Sequence, residues 1–211
     1  MDEELSLRER KKIQTGRTIW TTAVDLFLER GFDAVSVKEI AEAAEVSKMT
    51  VFNYFPTKED LVVHPLAQHT DEPARVIGSR PPGTTPVEAW HAHFMRALAE
   101  RDAATGLSDV PLVRKVQDLI RDTPALFQRA LSFRQDGRRS LARALGEETG
   151  EVTARLMAEQ ILAVRDSLVE MNYLAMRAGT SADDRYPDAV ADAELAFGLL
   201  RDGHGGLLRR A

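Results

Sequence analysis

Ser36-Val37-Lys38-Glu39-Ile40-Ala41-Glu42-Ala43-Ala44-Glu45-Val46-Ser47-Lys48-Met49-Thr50-Val51-Phe52-Asn53-Tyr54-Phe55-Pro56-Thr57-Lys58-Glu59-Asp60 is the stretch that decides the fold. Ser36 with Glu39 three residues on is a capping box, in which hydroxyl and carboxylate satisfy helix-start amides reciprocally. It predicts a helix of about two turns burying Val37, Ile40, Ala41 and Ala44. Ser47 caps a second helix over about 48–54, and Thr57, with Asp60 at the box position, starts a third. Small residues at 41 and 43–44 let the first two helices cross closely. Two short capped helices across a tight turn are the shape of a helix-turn-helix, which lays its second helix in the DNA major groove.

In such a motif Ile40, Ala41 and Ala44 pair with Val46, Val51 and Phe55. That leaves Lys48, Met49, Thr50, Asn53 and Tyr54 as the expected outward positions of the second helix. Lys48 suits guanine O6/N7, Asn53 an adenine edge or a phosphate, and Met49 and Thr50 a thymine methyl. Lys58 stands at the start of the next helix, where free amides and the dipole favour a phosphate, and Ser36 offers the same geometry one helix earlier.

Charge is the main objection. The chain of 211 residues carries net −5, and residues 1–60 hold nine Lys+Arg against twelve Asp+Glu, net −3. Yet across residues 8–17 Arg8, Arg10, Lys11, Lys12 and Arg17 oppose only Glu9. Phosphates meet a surface and not an average, so a local basic arm is compatible with DNA. Apolar content of 44% and charged content of 29% are those of a globular chain with a sizeable core. No apolar run approaches the ~20 residues that span a bilayer, so no membrane partner is expected. There is no cysteine, hence no disulfide framework and no zinc–thiolate site. Met1-Asp2-Glu3-Glu4 lacks the positive start of a signal peptide, and a cytoplasmic location is the expectation.

Outward from the motif, nearly everything reads helical. A first helix over about 7–30 has Ile19, Ala23, Leu26 and Phe27 as its stripe, with Trp20 alongside, Gly31 as a left-handed stop and Phe32 folding back. The helix begun at Thr57 is expected to run to about 78. Arg80-Pro81-Pro82-Gly83-Thr84 breaks the chain, and Thr85-Pro86-Val87-Glu88 combines a capping box with proline at the first helical position. Further helices follow over about 86–102, 109–121, 124–146, 151–178 and 185–202, with a loose tail from Gly203. The expected architecture is all-α with about nine helices. Residues 1–56 form a three-helix DNA-binding domain, and residues 57–211 a larger helical domain for ligand binding and dimerisation.

Residues 13–61 resemble the DNA-binding domain of TetR-family transcriptional regulators. The resemblance rests on Ala23, Leu26-Phe27, Gly31-Phe32, Val37, Ile40-Ala41, Val46-Ser47, Thr50, Asn53-Tyr54-Phe55 and Lys58-Glu59-Asp60-Leu61. It implies a homodimer, a double-stranded DNA operator and a small-molecule inducer that lowers DNA affinity. By matching position, Ser36, Lys58 and Tyr54 fall on phosphate contacts. Lys38, Lys48, Met49 and Thr50 fall where the family meets bases or adjoining backbone, with Val37 and Ser47 beside them. Two positions depart from the pattern. Glu45 stands where the family commonly has glycine, at a backbone cost of order 1 kcal/mol, and Phe52 stands where many relatives have tyrosine.

For the dimer, Leu156, Gln160, Ile161, Val164, Leu168 and Met171, with Val190, Ala193, Phe197 and Leu200, recur at 3–4 spacing. By pattern alone these stripes fit the subunit's own core equally well. For a pocket, Trp90, Phe94, Met95, Leu98, Phe127, Leu131 and Met157 are expected apolar walls, with His93, Arg114 and Tyr173 supplying polarity. Catalysis finds no purchase. His91 and His93 point about 200° apart on a helix, His64 and His69 are poorly spaced for one metal, and no nucleophile elbow or phosphate loop occurs. No cofactor or metal is expected. The function read from sequence is a homodimeric, ligand-released DNA-binding repressor. The alternative is a helical small-molecule or protein-binding module with a vestigial helix-turn-helix.

Overall fold

The structure, a computed structural model, describes residues 6–203. Among these residues it is helical without a strand. The chain forms two compact units. One takes the residues up to Ala67 together with Lys115–Ser132, and the other takes Gln68–Arg114 together with Phe133 onward. The first unit thus runs past residue 56 and recruits a later segment. The expected tail beyond Gly203 lies outside the described residues.

In the first unit, α1 (Leu7–Arg30) is fixed at its start by a Ser6/Glu9 capping box. Its end is set by Gly31, at φ 86° and ψ 151°. The positive φ was legible, but ψ is extended, so the stop is not the left-handed helical one expected of Gly31. Phe32 does fold back, its ring centroid 5.0 Å from that of Phe27. Next come α2 (Val37–Ala43) and α3 (Lys48–Tyr54), packed against α1 and each other in chain order. Ile19, Ala23, Val24, Phe27, Ile40, Val51 and Phe55 are buried here. α4 (Asp60–Gln68) begins after the reciprocal bonds of Thr57 and Asp60, at 3.1 and 3.2 Å. Asp60 is buried, and Arg129 donates to its carboxylate at 2.8 Å, so the charge is paired where it leaves water. Arg129 comes from α8 (Pro124–Thr149), which with α7 (Pro111–Asp122) supplies the recruited segment.

The helix expected over 57–78 is two helices. α4 ends at Gln68 and α5 (Glu72–Gly78) restarts after a turn, with Pro73 in its first turn. A proline in the first turn suits a helix start, where its missing N–H is not needed, whereas Pro65 lies inside α4 without ending it.

In the second unit, α5 packs on α6 (Pro86–Ala99), whose Thr85/Glu88 capping box and first-turn proline are as expected. A 3-10 turn at Ala103–Thr105 was not foreseen. α9 (Glu151–Arg177) and α10 (Ala182–Asp202) complete the unit, and α10 packs on both α9 and α6. Its core includes Trp90, Phe94, Leu98, Ile161, Leu168 and Phe197.

Candidate nucleic-acid interface

The turn between α2 and α3 follows from its hydrogen bonds. The Val46 amide donates to Ala41 O at 2.9 Å and the Glu45 amide to Glu42 O at 3.2 Å. That pairing is a Schellman motif, which needs a left-handed residue at its centre. Glu45 fills the position at φ 55°, so the departure from glycine is a real backbone burden. Ser36 Oγ accepts from the Glu39 amide at 3.2 Å, and Glu39 accepts from the Ser36 amide at 2.8 Å. Arg30 adds an ion pair to Glu39 at 2.7 Å. The Ser36 amide first, and Arg30 second, hold the Glu39 carboxyl down at about 2. Ser47 caps α3, accepting from the Thr50 amide at 2.9 Å, and its hydroxyl lies 2.7 Å from that of Thr50.

The outward face of α3 differs from the sequence reading at three positions. Lys48, Met49 and Asn53 are exposed as expected, but Thr50 and Tyr54 are half-buried and Phe52 is exposed. Tyr54 turns toward α1. A Cβ built on Gly16 would lie 3.1 Å from the Tyr54 ring, so that glycine is what admits the ring. A glycine inside a helical pattern signals such close approach, and Gly16 carried that signal unread. The Lys48 ammonium lies 5.8 Å from the Phe52 ring centroid. Lys58 is half-buried, its ammonium 4.4 Å from the Phe32 ring centroid. Ser36 and Ser47 are exposed at their caps, and Val37 is half-buried at the first helical position of α2. Lys38 is exposed and 3.6 Å from Glu42.

Of the ten residues expected to line a pocket, Phe127 and Leu131 fall in the first unit and the other eight in the second. Trp90 and Phe94 are core residues of the second unit, and Met157 packs against that core. His93 stacks on Trp90 at 4.9 Å and reaches Glu72 at 3.4 Å. Hydrogen bonds from His69 and then His93 hold the Glu72 carboxyl well below its ordinary range. Tyr173 is buried and accepts a hydrogen bond from Arg177 at 2.8 Å. Phe127 lies in the first unit, with the Arg121 guanidinium 5.5 Å from its ring centroid. A groove of about 320 Å³ in the second unit is lined instead by α9 and α10, through residues such as Val164, Leu168, Met171, Leu195 and Leu199.

Of the expected interface residues, Leu156 is exposed and Val164 and Val190 are half-buried. Ile161, Leu168 and Phe197 are buried in the unit's own core. These three do not present an outer face: they sit in the core where α10 packs on both α9 and α6, with the Phe197 ring centroid 5.9 Å from that of Phe94. The outer stripe is Val152, Leu156, Met171 and Leu174 on α9 with Leu195 on α10, all exposed. Leu156 and Met171 were among the residues expected at the interface, while Val152, Leu174 and Leu195 were not.

Capped α2 and α3, held across a Schellman turn with one α3 face outward, define a helix-turn-helix protein. A profile described as bacterial regulatory proteins, tetR family, matches residues 19–64. The HTH-type transcriptional regulator TcmR of Streptomyces glaucescens is 30% identical over 145 residues, 68% of this chain and 64% of that protein. This chain therefore aligns with somewhat less than two thirds of that relative's length. Among solved structures, NalD of Pseudomonas aeruginosa superposes with a TM-score of 0.57 at 18% identity, covering 87% of this chain and 96% of NalD. A TetR-family regulator of Streptomyces coelicolor superposes with 0.56 at 22% identity, covering 94% and 99%. The chain belongs to the TetR family.

Proposed function

We propose that this chain is a homodimeric transcriptional regulator that binds a double-stranded DNA operator, represses from it, and is released by a small-molecule ligand. The observation that carries the reading is the capped, outward face of α3. In this reading Lys48, Met49 and Asn53 meet base edges. Ser36, Lys38, Ser47, Thr50, Tyr54 and Lys58 meet phosphates or the adjoining backbone, with Val37 alongside.

The exposed apolar stripe of α9 and α10 supports a two-fold pair, since the same patch on two copies covers itself. Two α3 helices in such a pair must sit about 34 Å apart, or a multiple of one turn, to meet successive half-sites. A ligand that favours another spacing needs coupling of only about 1–3 kcal/mol to act as a switch.

The test is a mobility shift on the DNA flanking the protein's own gene. Lys48→Ala removes a base or phosphate donor and is expected to weaken binding by about fivefold to a hundredfold. Tyr54→Phe keeps the ring against Gly16 and removes the hydroxyl, for a loss of about fivefold. Wild-type binding unchanged by both variants refutes the role given to α3. Absence of any salt-sensitive shift favours the binding-module alternative.

A further inference from the structure

We propose that α3 selects its operator by reading thymine C5-methyl groups with Met49 and Phe52. The inference rests on the DNA-binding reading above and adds the class of base that the helix prefers.

At about 100° per residue, Lys48, Phe52, Met49 and Asn53 follow one another around α3 over an arc of about 140°. These are its four exposed side chains. Phe52 and Met49 occupy the middle of the arc, 37% and 69% exposed. Lys48 lies at one flank, its ammonium 5.8 Å from the Phe52 ring centroid, and Asn53 lies at the other. Valine 51 and Phe55 face the core, and the Thr50 hydroxyl is engaged by Ser47. The centre of the outward face is therefore apolar, with hydrogen-bonding groups only at its edges.

A single exposed apolar side chain is ordinary, but Met49 and Phe52 are neighbours at i, i+3 and form one patch. Pressed against purine edges or cytosine N4, that patch removes water from donors and acceptors and offers no hydrogen bond in return. The major groove presents one apolar feature, the thymine methyl. Met49 and Phe52 match it in chemistry, while Lys48 and Asn53 remain for the flanking pair or the backbone.

The experiment enriches a random-sequence duplex pool on the full-length protein. The recovered duplexes are then resynthesised with deoxyuridine for thymidine, which deletes only the methyl. Affinity is expected to fall about fourfold per contacted methyl, so about tenfold or more across two half-sites. A Met49→Ala/Phe52→Ala variant, with melting followed to confirm folding, should bring the thymine-to-uracil ratio close to one. A Met49→Leu/Phe52→Leu variant keeps apolar bulk and should retain the discrimination. Equal affinity of the wild type for both duplexes overturns the proposal, as does a ratio that survives the double alanine variant. Enrichment with equal affinities sinks thymine reading alone. A pool that yields no sequence sinks the DNA-binding reading and this proposal together.

Discussion

Replacing Glu45 by glycine separates backbone strain from charge at the helix-turn-helix. Glu45 holds φ 55° because the Schellman bonds from Val46 to Ala41 and from Glu45 to Glu42 demand it. An L-residue in that conformation costs about 1–2 kcal/mol. Glycine removes the cost but gives the unfolded chain more freedom, worth about 0.4–1 kcal/mol against it. The net expectation is a gain of about 0.5–1 kcal/mol, or a rise in Tm of about 1–4 °C for a chain this long. Glu45→Ala is the control, since it deletes the charge and keeps the strain. Both variants remove one negative charge beside the proposed DNA face, so both should bind duplex DNA more tightly at low salt. Thermal melts and DNA titrations over a salt series read the two effects independently. The reasoning fails if Glu45→Gly is no more stable than Glu45→Ala. Arg101 sets the contrast, for it shares φ 55° but lays its guanidinium 3.8 Å from the Tyr186 ring centroid and pairs with Asp183 at 2.9 Å. Glycine there should lose those contacts and gain less.

Three further outcomes are expected. The Glu39 cap requires an ionised carboxylate held near 2, so its stabilisation is whole above the ordinary value of 4.5 and is lost as pH falls through about 2; amide shifts of Ser36 and Glu39 followed by NMR should show that step, and Glu39→Gln should abolish it. Gly106→Ala sets a Cβ 2.5 Å from the Val169 carbonyl oxygen at φ 76°, which should destabilise the second unit by about 2–4 kcal/mol in urea unfolding. Leu195→Glu puts a charge into the exposed stripe of α10 twice per symmetric pair, and sedimentation should show dimer affinity weakened about a hundredfold or more, whereas an unchanged mass removes α10 from the interface.

The helix starts were legible because a cap is a local device. Ser36 with Glu39, Ser47, and Thr85 with Glu88 each declare a helix within four residues, and the structure places bonds at each. Glu45 was legible for the same reason, as one residue in a turn whose geometry admits few alternatives. What failed depended on partners distant in sequence. Tyr54 and Phe52 are two apart on one short helix, and only the approach of α1 at Gly16 decides which ring turns inward. Ile161 and Leu156 belong to two interleaved stripes on α9, and periodicity reports both without saying which faces the unit's own core. The break between α4 and α5 was masked by apolar residues on both sides, and proline did not mark it uniquely, since Pro65 lies inside α4 and Pro73 in the first turn of α5.

Net charge is a poor guide to what a phosphate meets on this surface, and that bears on the objection raised by a −3 first segment. Several of its carboxylates are committed locally: Glu9 and Glu39 cap helices, Glu42 lies 3.6 Å from Lys38, and Asp60 is paired with Arg129. A carboxylate at a helix start also faces the positive end of the dipole, which offsets its field at a distance. Arg8, Arg10, Lys11, Lys12 and Arg17 are meanwhile exposed along the first turns of α1. At physiological salt, fields between exposed charges fade beyond about 8 Å, so a phosphate responds to the nearest side chains and not to the sum. It follows that Lys11→Ala/Lys12→Ala should weaken binding to every duplex alike and lower the salt slope by about 0.9 for each phosphate contact removed. The outward patch of α3 should then keep its sequence preference intact. A double variant with the wild-type slope removes the first turns of α1 from the interface, and one that changes which sequence is bound gives them a part in base selection.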